Sequence, residues 1–212
     1  MILVVSLSRD TLALNPTSLL HNLVDSMLSE EEENTKITLV TYGANGEFYP
    51  PYIRTVNGEI SSADRVQLAS AISRLEFTGP SYSGASTVDA LRFVTQNFQN
   101  SNLGVAKAVV VVAPESPTQN LVGLTSTELE RQFSSEMMSL NVVSLLNEQD
   151  CQGLQLNIIH GISGRCYLPS EIPTLVSNLA QQRSDTVGRS IFCTCNLMDY
   201  LTGALSTTCA FN

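Results

Sequence analysis

The run Lys107-Ala-Val-Val-Val-Val-Ala113 constrains the fold more than any other stretch of this 212-residue chain. Side chains alternate between the two faces of a strand, so an unbroken run of Val and Ala leaves neither face for water. Such a strand belongs in the middle of a parallel sheet with helices packed on both sides. Strand-like and helix-like patterns alternate around it, as that architecture requires. Ile2 to Leu7 and Lys36 to Tyr42 read as buried strands before it, and Asn141 to Leu146 and Arg165 to Leu168 as strands after it. Gly43-Ala-Asn-Gly46 turns the second strand into a short extended piece at Glu47 to Tyr49, a predicted hairpin.

Helical spacing fills the intervals. Ser18 to Glu31 sets Leu19, Leu23 and Met27 in one row and Leu20, Val24 and Leu28 in the next. Ser62 to Leu75 carries Leu68, Ile72 and Leu75, and Thr87 to Phe98 carries Val88, Leu91, Val94 and Phe98. The pattern Thr127-x-x-Glu130 reads as a capping box opening a helix with Leu129, Phe133 and Met137 on one face. A short helical piece is expected near Leu154 to Ile159. Ser170 is expected to cap a last helix with Ile172, Leu175, Val176 and Leu179 inward and Pro173 in its first turn. The sequence thus specifies an α/β fold, a doubly wound and mostly parallel sheet with helices on both faces. Residues 1–190 form one domain and residues 191–212 a cysteine-containing extension.

Composition narrows the function classes. With 43% hydrophobic residues the chain buries a full core, and its net charge of -9 comes with no Lys/Arg cluster. Nucleic acid and anionic lipid surfaces are therefore poor partners. The longest apolar stretches fall far short of the roughly 20 residues a membrane span needs. Glu30 to Glu33 reads as a solvated helix end. No basic n-region, apolar h-region and cleavage site precede the strand at Ile2, which fits numbering that begins inside a longer precursor or at a processed end.

Cys151, Cys166, Cys193, Cys195 and Cys209 all fall in the last third of the chain. They point to a disulfide-permissive setting, with the odd number leaving one over. Cys151 and Cys166 form a plausible local pair near the last two strands, although several connectivities remain open. Zinc would need four ligands, whereas Cys193-x-Cys195 with a distant Cys209 supplies three at poor spacing.

Ligands of an open parallel sheet collect at the carboxyl ends of its strands. There Val4-Val-Ser-Leu-Ser8 resembles the D-x-S-x-S motif of the von Willebrand factor A (vWA) family with its leading Asp replaced. Gly84 to Leu91 resembles the family's loop into the third helix, and Val109 to Ser116 the strand that normally ends in T-D-G. The resemblance covers about residues 1 to 184. It implies a metal-ion-dependent adhesion site (MIDAS) that holds Mg²⁺ or a similar cation. Ser6 and Ser8 match the motif, but the first Asp falls on Val4, the Thr on Ala85 and the second Asp on Ala113. In the second loop, Ser86 or Thr87 could stand in for the Thr. With both anionic ligands replaced, two hydroxyls cannot displace the hydration shell of a hard cation. The implied site is degenerate, with no metal and no cofactor.

Other chemistries fare worse. Ser6 to Pro16 contains no glycine to cradle a phosphate, and Gly79-Pro-Ser-Tyr-Ser83 is not a nucleophile elbow. His21 falls within a predicted helix, and His160 reads as a structural or surface histidine. Phe48, Tyr49 and Tyr52 beside Pro50-Pro51 read as packing at the sheet edge. The expectation is a non-catalytic module that binds other proteins, as an extracellular adhesion, matrix or assembly component. The alternatives are an intracellular scaffold subunit of the same fold and, further off, an enzyme of flavodoxin-like or hydrolase type.

Overall fold

The computed structural model describes residues 1–28, 35–43, 51–79, 85–98, 107–114, 126–144 and 164–181. Six strands form one sheet in the order β3-β2-β1-β4-β5-β6. They are β1 (Ile2–Ser6), β2 (Thr38–Tyr42), β3 (Tyr52–Arg54), β4 (Lys107–Ala113), β5 (Met138–Ser144) and β6 (Cys166–Tyr167). All neighbours run parallel except β2 and β3. The Val-rich run is β4, with β1 and β5 on its flanks. Residues 109–113 are wholly shielded from water.

Two apolar layers shield them. Even-numbered residues of β1 and β2 (Ile2, Val4, Val40, Tyr42) and odd-numbered residues of β4 face α3 (Ala85–Asn97) and α4 (Ser126–Ser135). The opposite face packs against α1 (Pro16–Met27), α2 (Arg65–Ser73) and a helix α5 over 172–181. On α1, Leu19, Leu20, Leu23, Val24 and Met27 are all buried, each worth roughly 1.5–3 kcal/mol against exposure. Asn15 in the left-handed region turns the chain into α1, and Pro16 opens the helix where a missing N–H costs nothing. Asp64 caps α2 by accepting from the N–H groups of Val66 and Gln67 at 2.9 and 3.0 Å.

Local chemistry moves several predicted boundaries. The antiparallel partner of β2 is Tyr52–Arg54, with Arg54 lying over the Tyr52 ring; Glu47 to Tyr49 lie outside the described residues. Ser62 pairs with Ile37 as an isolated bridge, so α2 starts only after Asp64. Thr127 is the second residue of α4, not its cap. Met137 does not continue the α4 face: the helix has ended, Met137 takes φ 51°, and its side chain turns outward, 54% exposed. That turn lets β5 begin at Met138, earlier than the pattern suggested. Ser170 is not a cap either. Pro169–Glu171 form a 3-10 turn, and Glu171 Oε2 accepts from the Leu168 N–H at 2.9 Å. Of the four predicted inward residues of α5, Leu175 and Leu179 are buried, while Ile172 and Val176 are half-buried. The helix expected at Leu154 to Ile159 and the extension 191–212 lie outside the described residues.

One core residue breaks the polarity rule. Asn141 on β5 is fully buried, and neither its Oδ1 nor its Nδ2 has a hydrogen-bond partner. A buried amide stripped of water without compensation destabilises the fold. Asn141→Val, which also suits a strand, is expected to raise stability by about 1–2 kcal/mol. A higher urea midpoint at unchanged slope would show this; a lower midpoint would contradict it.

Candidate functional site

Four strands end level with one another. Ser6, the last residue of β1, pairs with Tyr42, the last of β2, and Ala113, the last of β4, pairs with Ser144, the last of β5. Val5 and Val112 are paired one residue earlier, which sets Ser6 beside Ala113. The period of two puts all four side chains on the α3/α4 face, in a row Tyr42–Ser6–Ala113–Ser144 across the carboxyl edge. None is more than 1% exposed.

Beyond the row, backbone pairing continues. Leu7 N–H donates to Tyr42 O at 2.8 Å, Gly79 N–H to Leu7 O at 2.9 Å and Arg9 N–H to Gly79 O at 2.8 Å. This bridge fixes Ser8, which is fully buried. Ser8 Oγ accepts from the Asp10 N–H at 3.2 Å and caps the 3-10 helix Arg9–Leu14, while Ser8 N–H donates to Ser6 Oγ at 3.4 Å. Gly79 lies so close to the neighbouring chain segment that a Cβ there would sit 1.8 Å from Gly43 O.

α3 approaches with its amino end toward the rim. Thr87, in its first turn, places Oγ1 2.7 Å from the Tyr42 hydroxyl, and both residues are buried. Tyr42 is among the largest fully buried side chains of the protein. Two residues on, Asp89 Oδ1 is buried without a partner. Burial pushes its carboxyl above the usual range, and Arg92 opposes that only in part.

The structure brings Ser6, Ser8 and Ala113 together at the rim and adds Thr87, Tyr42 and Ser144. Val4 does not join them. It sits mid-strand between Val40 and Val111 with no exposure, and the sheet's register puts Ser6 level with Ala113. Ala85 opens α3. Tyr42 escaped the sequence reading because it ends an apolar strand and resembles packing; the signal lay in its phenol, which must find a partner once buried. His21 is structural: Nε2 contacts Ala69 O at 3.2 Å and the Ser73 hydroxyl at 3.4 Å, tying α1 to α2. His160, Ser86's side chain and the cysteines other than Cys166 fall outside the described residues.

These residues do not fit a hard cation. The side-chain oxygens of the row, and those of Ser8 and Thr87 beside it, are neutral hydroxyls; Asp10 is exposed to solvent, and burial favours the neutral form of Asp89. Mg²⁺ keeps its water unless a carboxylate helps to replace it. Among the described residues, no three His, Cys, Asp or Glu side chains converge to hold a metal.

No family model matches the sequence, and neither does any curated protein. Solved structures do match the fold. Proximal thread matrix protein 1 from the mussel byssus superposes with TM-score 0.55 at 14% identity, over 86% of this chain and 45% of its own. The vWF domain of the type V pili tip protein Mfa5 from Porphyromonas gingivalis gives TM-score 0.57 at 11% identity, covering 85% and 93%. The SpRpn10 VWA domain gives 0.51 at 14% identity, covering 85% and 93%. The chain has the von Willebrand factor A fold.

Within that fold, the mussel protein has also been solved with a zinc-occupied MIDAS motif. In this vWA fold the hydroxyls at the carboxyl edge bond to neighbouring groups, Ser6 Oγ to the Ser8 N–H and Tyr42 to Thr87. The chain spans less than half the length of the mussel protein.

Two substitutions probe this end of the sheet. Gly79→Ala drives a methyl into Gly43 O and is expected to destabilise by roughly 2–3 kcal/mol or more, read from the shift in the denaturant midpoint. Asp89 keeps its proton to higher pH in the folded chain than in the unfolded one. Its ionisation therefore destabilises the fold as pH rises through the folded pKa, and the loss is recovered as pH falls. Asp89→Asn, neutral throughout, is expected to melt higher than the native sequence near pH 7, with the difference shrinking through the carboxylate range. Melting curves at both ends of that range check the sign.

Proposed function

We propose that this chain is a non-catalytic protein-interaction module of vWA type that works without a divalent cation, as an adhesion, matrix or assembly component. The observation that carries this reading is the row Tyr42–Ser6–Ala113–Ser144, which places neutral or apolar side chains where a cation would need charge. On this reading Ala85 and Ala113 are degenerate positions and Ser6 and Ser8 line the rim, while Val4, expected as a third, lies two residues back along β1. Solved neighbours described as a matrix protein and a pilus tip domain support a role in contact between proteins. Among the described residues no helix is long and apolar enough to cross a membrane.

An extracellular setting is part of the proposal, motivated by five cysteines in the last third of the chain, one of them Cys166 on the edge strand β6. One disulfide among the five would leave at most three thiols in unreduced protein. An intracellular scaffold would present five, and five reactive thiols in a native titration would sink the extracellular assignment. The extension 191–212 is proposed to be tied to the body through its cysteines.

Calorimetric titration with Mg²⁺, Mn²⁺ and Zn²⁺ is expected to give no saturable heat. Saturable binding that disappears in Ser6→Ala and Ser8→Ala would overturn metal independence.

A further inference from the structure

We infer that the hydrogen bond between Tyr42 and Thr87 is a built-in latch that holds the rim of the sheet in one fixed arrangement. The inference rests on the metal-independent reading and deepens it by naming what fixes the site in place of an ion. Tyr42 sits at the end of β2, next to Ser6, and its hydroxyl lies 2.7 Å from Thr87 Oγ1 in the first turn of α3. Both residues are 1% exposed, so the bond works away from competing water. It ties the carboxyl edge of the sheet to the segment entering from the second loop. On the same segment, Val88, Leu91 and Val94 dock α3 on the sheet further along the helix. Among the described residues of the first turn, Thr87 is the one that reaches the rim.

Something must hold that turn down. Asp89 follows two residues after Thr87 with one carboxylate oxygen buried and unpartnered, so lifting the turn would let it regain water. The desolvation of Asp89 opposes the latch directly. Tyr42 also fills the space it spans with a phenol ring, fully buried beside Ser6. The first turn of α3 is therefore ordered without an ion.

Hydrogen exchange read by residue tests the latch, because loss of the bond should loosen one turn while the fold persists. In Tyr42→Phe and in Thr87→Val, amides 87–91 are expected to exchange on the order of tenfold faster. Amides of β4 should stay unchanged. Thr87→Ser keeps the hydroxyl and should exchange as the native chain does. The double variant Tyr42→Phe/Thr87→Val should be accelerated by less than the two single effects combined, since both remove the same bond. Additive acceleration, or unchanged exchange in both single variants, would overturn the latch. Should Tyr42→Phe unfold the protein, the comparison of Thr87→Val with Thr87→Ser tests the same bond: faster exchange in the Val variant alone supports the latch, and equal exchange in the two overturns it. Adding millimolar Mg²⁺ or Mn²⁺ to the native chain should leave exchange in 87–91 unaltered. Slowing by the ion would overturn metal independence, whereas failure of the hydroxyl variants with no ion effect would remove the latch alone.

Discussion

Burial of β1 and β4 on both faces is the constraint on which the rest of this structure depends. Leu3, Val4 and Val5 of β1 and residues 109–113 of β4 have no solvent exposure, and each strand sends alternate side chains into opposite layers. Neither layer can be left open without returning several large apolar side chains to water at roughly 1.5–3 kcal/mol apiece. That forces α3 and α4 onto one face and α1, α2 and α5 onto the other. The parallel direction of the central strands follows, because each crossover returns the chain to the same end of the sheet.

Parallel strands of matched register also end together, and this brings Tyr42, Ser6, Ala113 and Ser144 to one edge. The site is thus a by-product of the core's geometry. Its chemistry is decided by what the last residue of each strand happens to be. Here those residues are hydroxyl-bearing or apolar, and the ones beyond them direct their polar atoms toward each other. Ser8 caps the turn that follows, Ser6 accepts from Ser8, and Tyr42 engages Thr87. Groups already paired and shielded from water in this way leave few hydroxyl lone pairs open at the edge.

Unfavourable terms sit at several separate places in the molecule. Asp89 keeps a desolvated oxygen near the rim, and Asn141 buries an unpaired amide in β5. Met137 takes a left-handed conformation to let a strand start directly after a helix. Local rules are broken at these points because the surrounding elements, packed elsewhere, dictate where the backbone must run. Their helices and strands were legible as elements; their conformations were not.

What the sequence alone determined was the architecture, because the periods of strand and helix and the unbroken run from Ala108 to Ala113 are properties of neighbouring residues. It also showed that the positions resembling the two Asp of the family's motifs, Val4 and Ala113, carry no carboxylate. Tertiary structure decided the register. Whether Val4 or Ser6 reaches the rim depends on how β1 is paired with β2 and β4, and a shift of two residues preserves every local pattern while moving the site. It likewise decided that Tyr42 and Thr87, 45 residues apart, share a bond. No spacing within either segment encodes that contact, which exists only because the sheet edge and the first turn of α3 are brought to the same place.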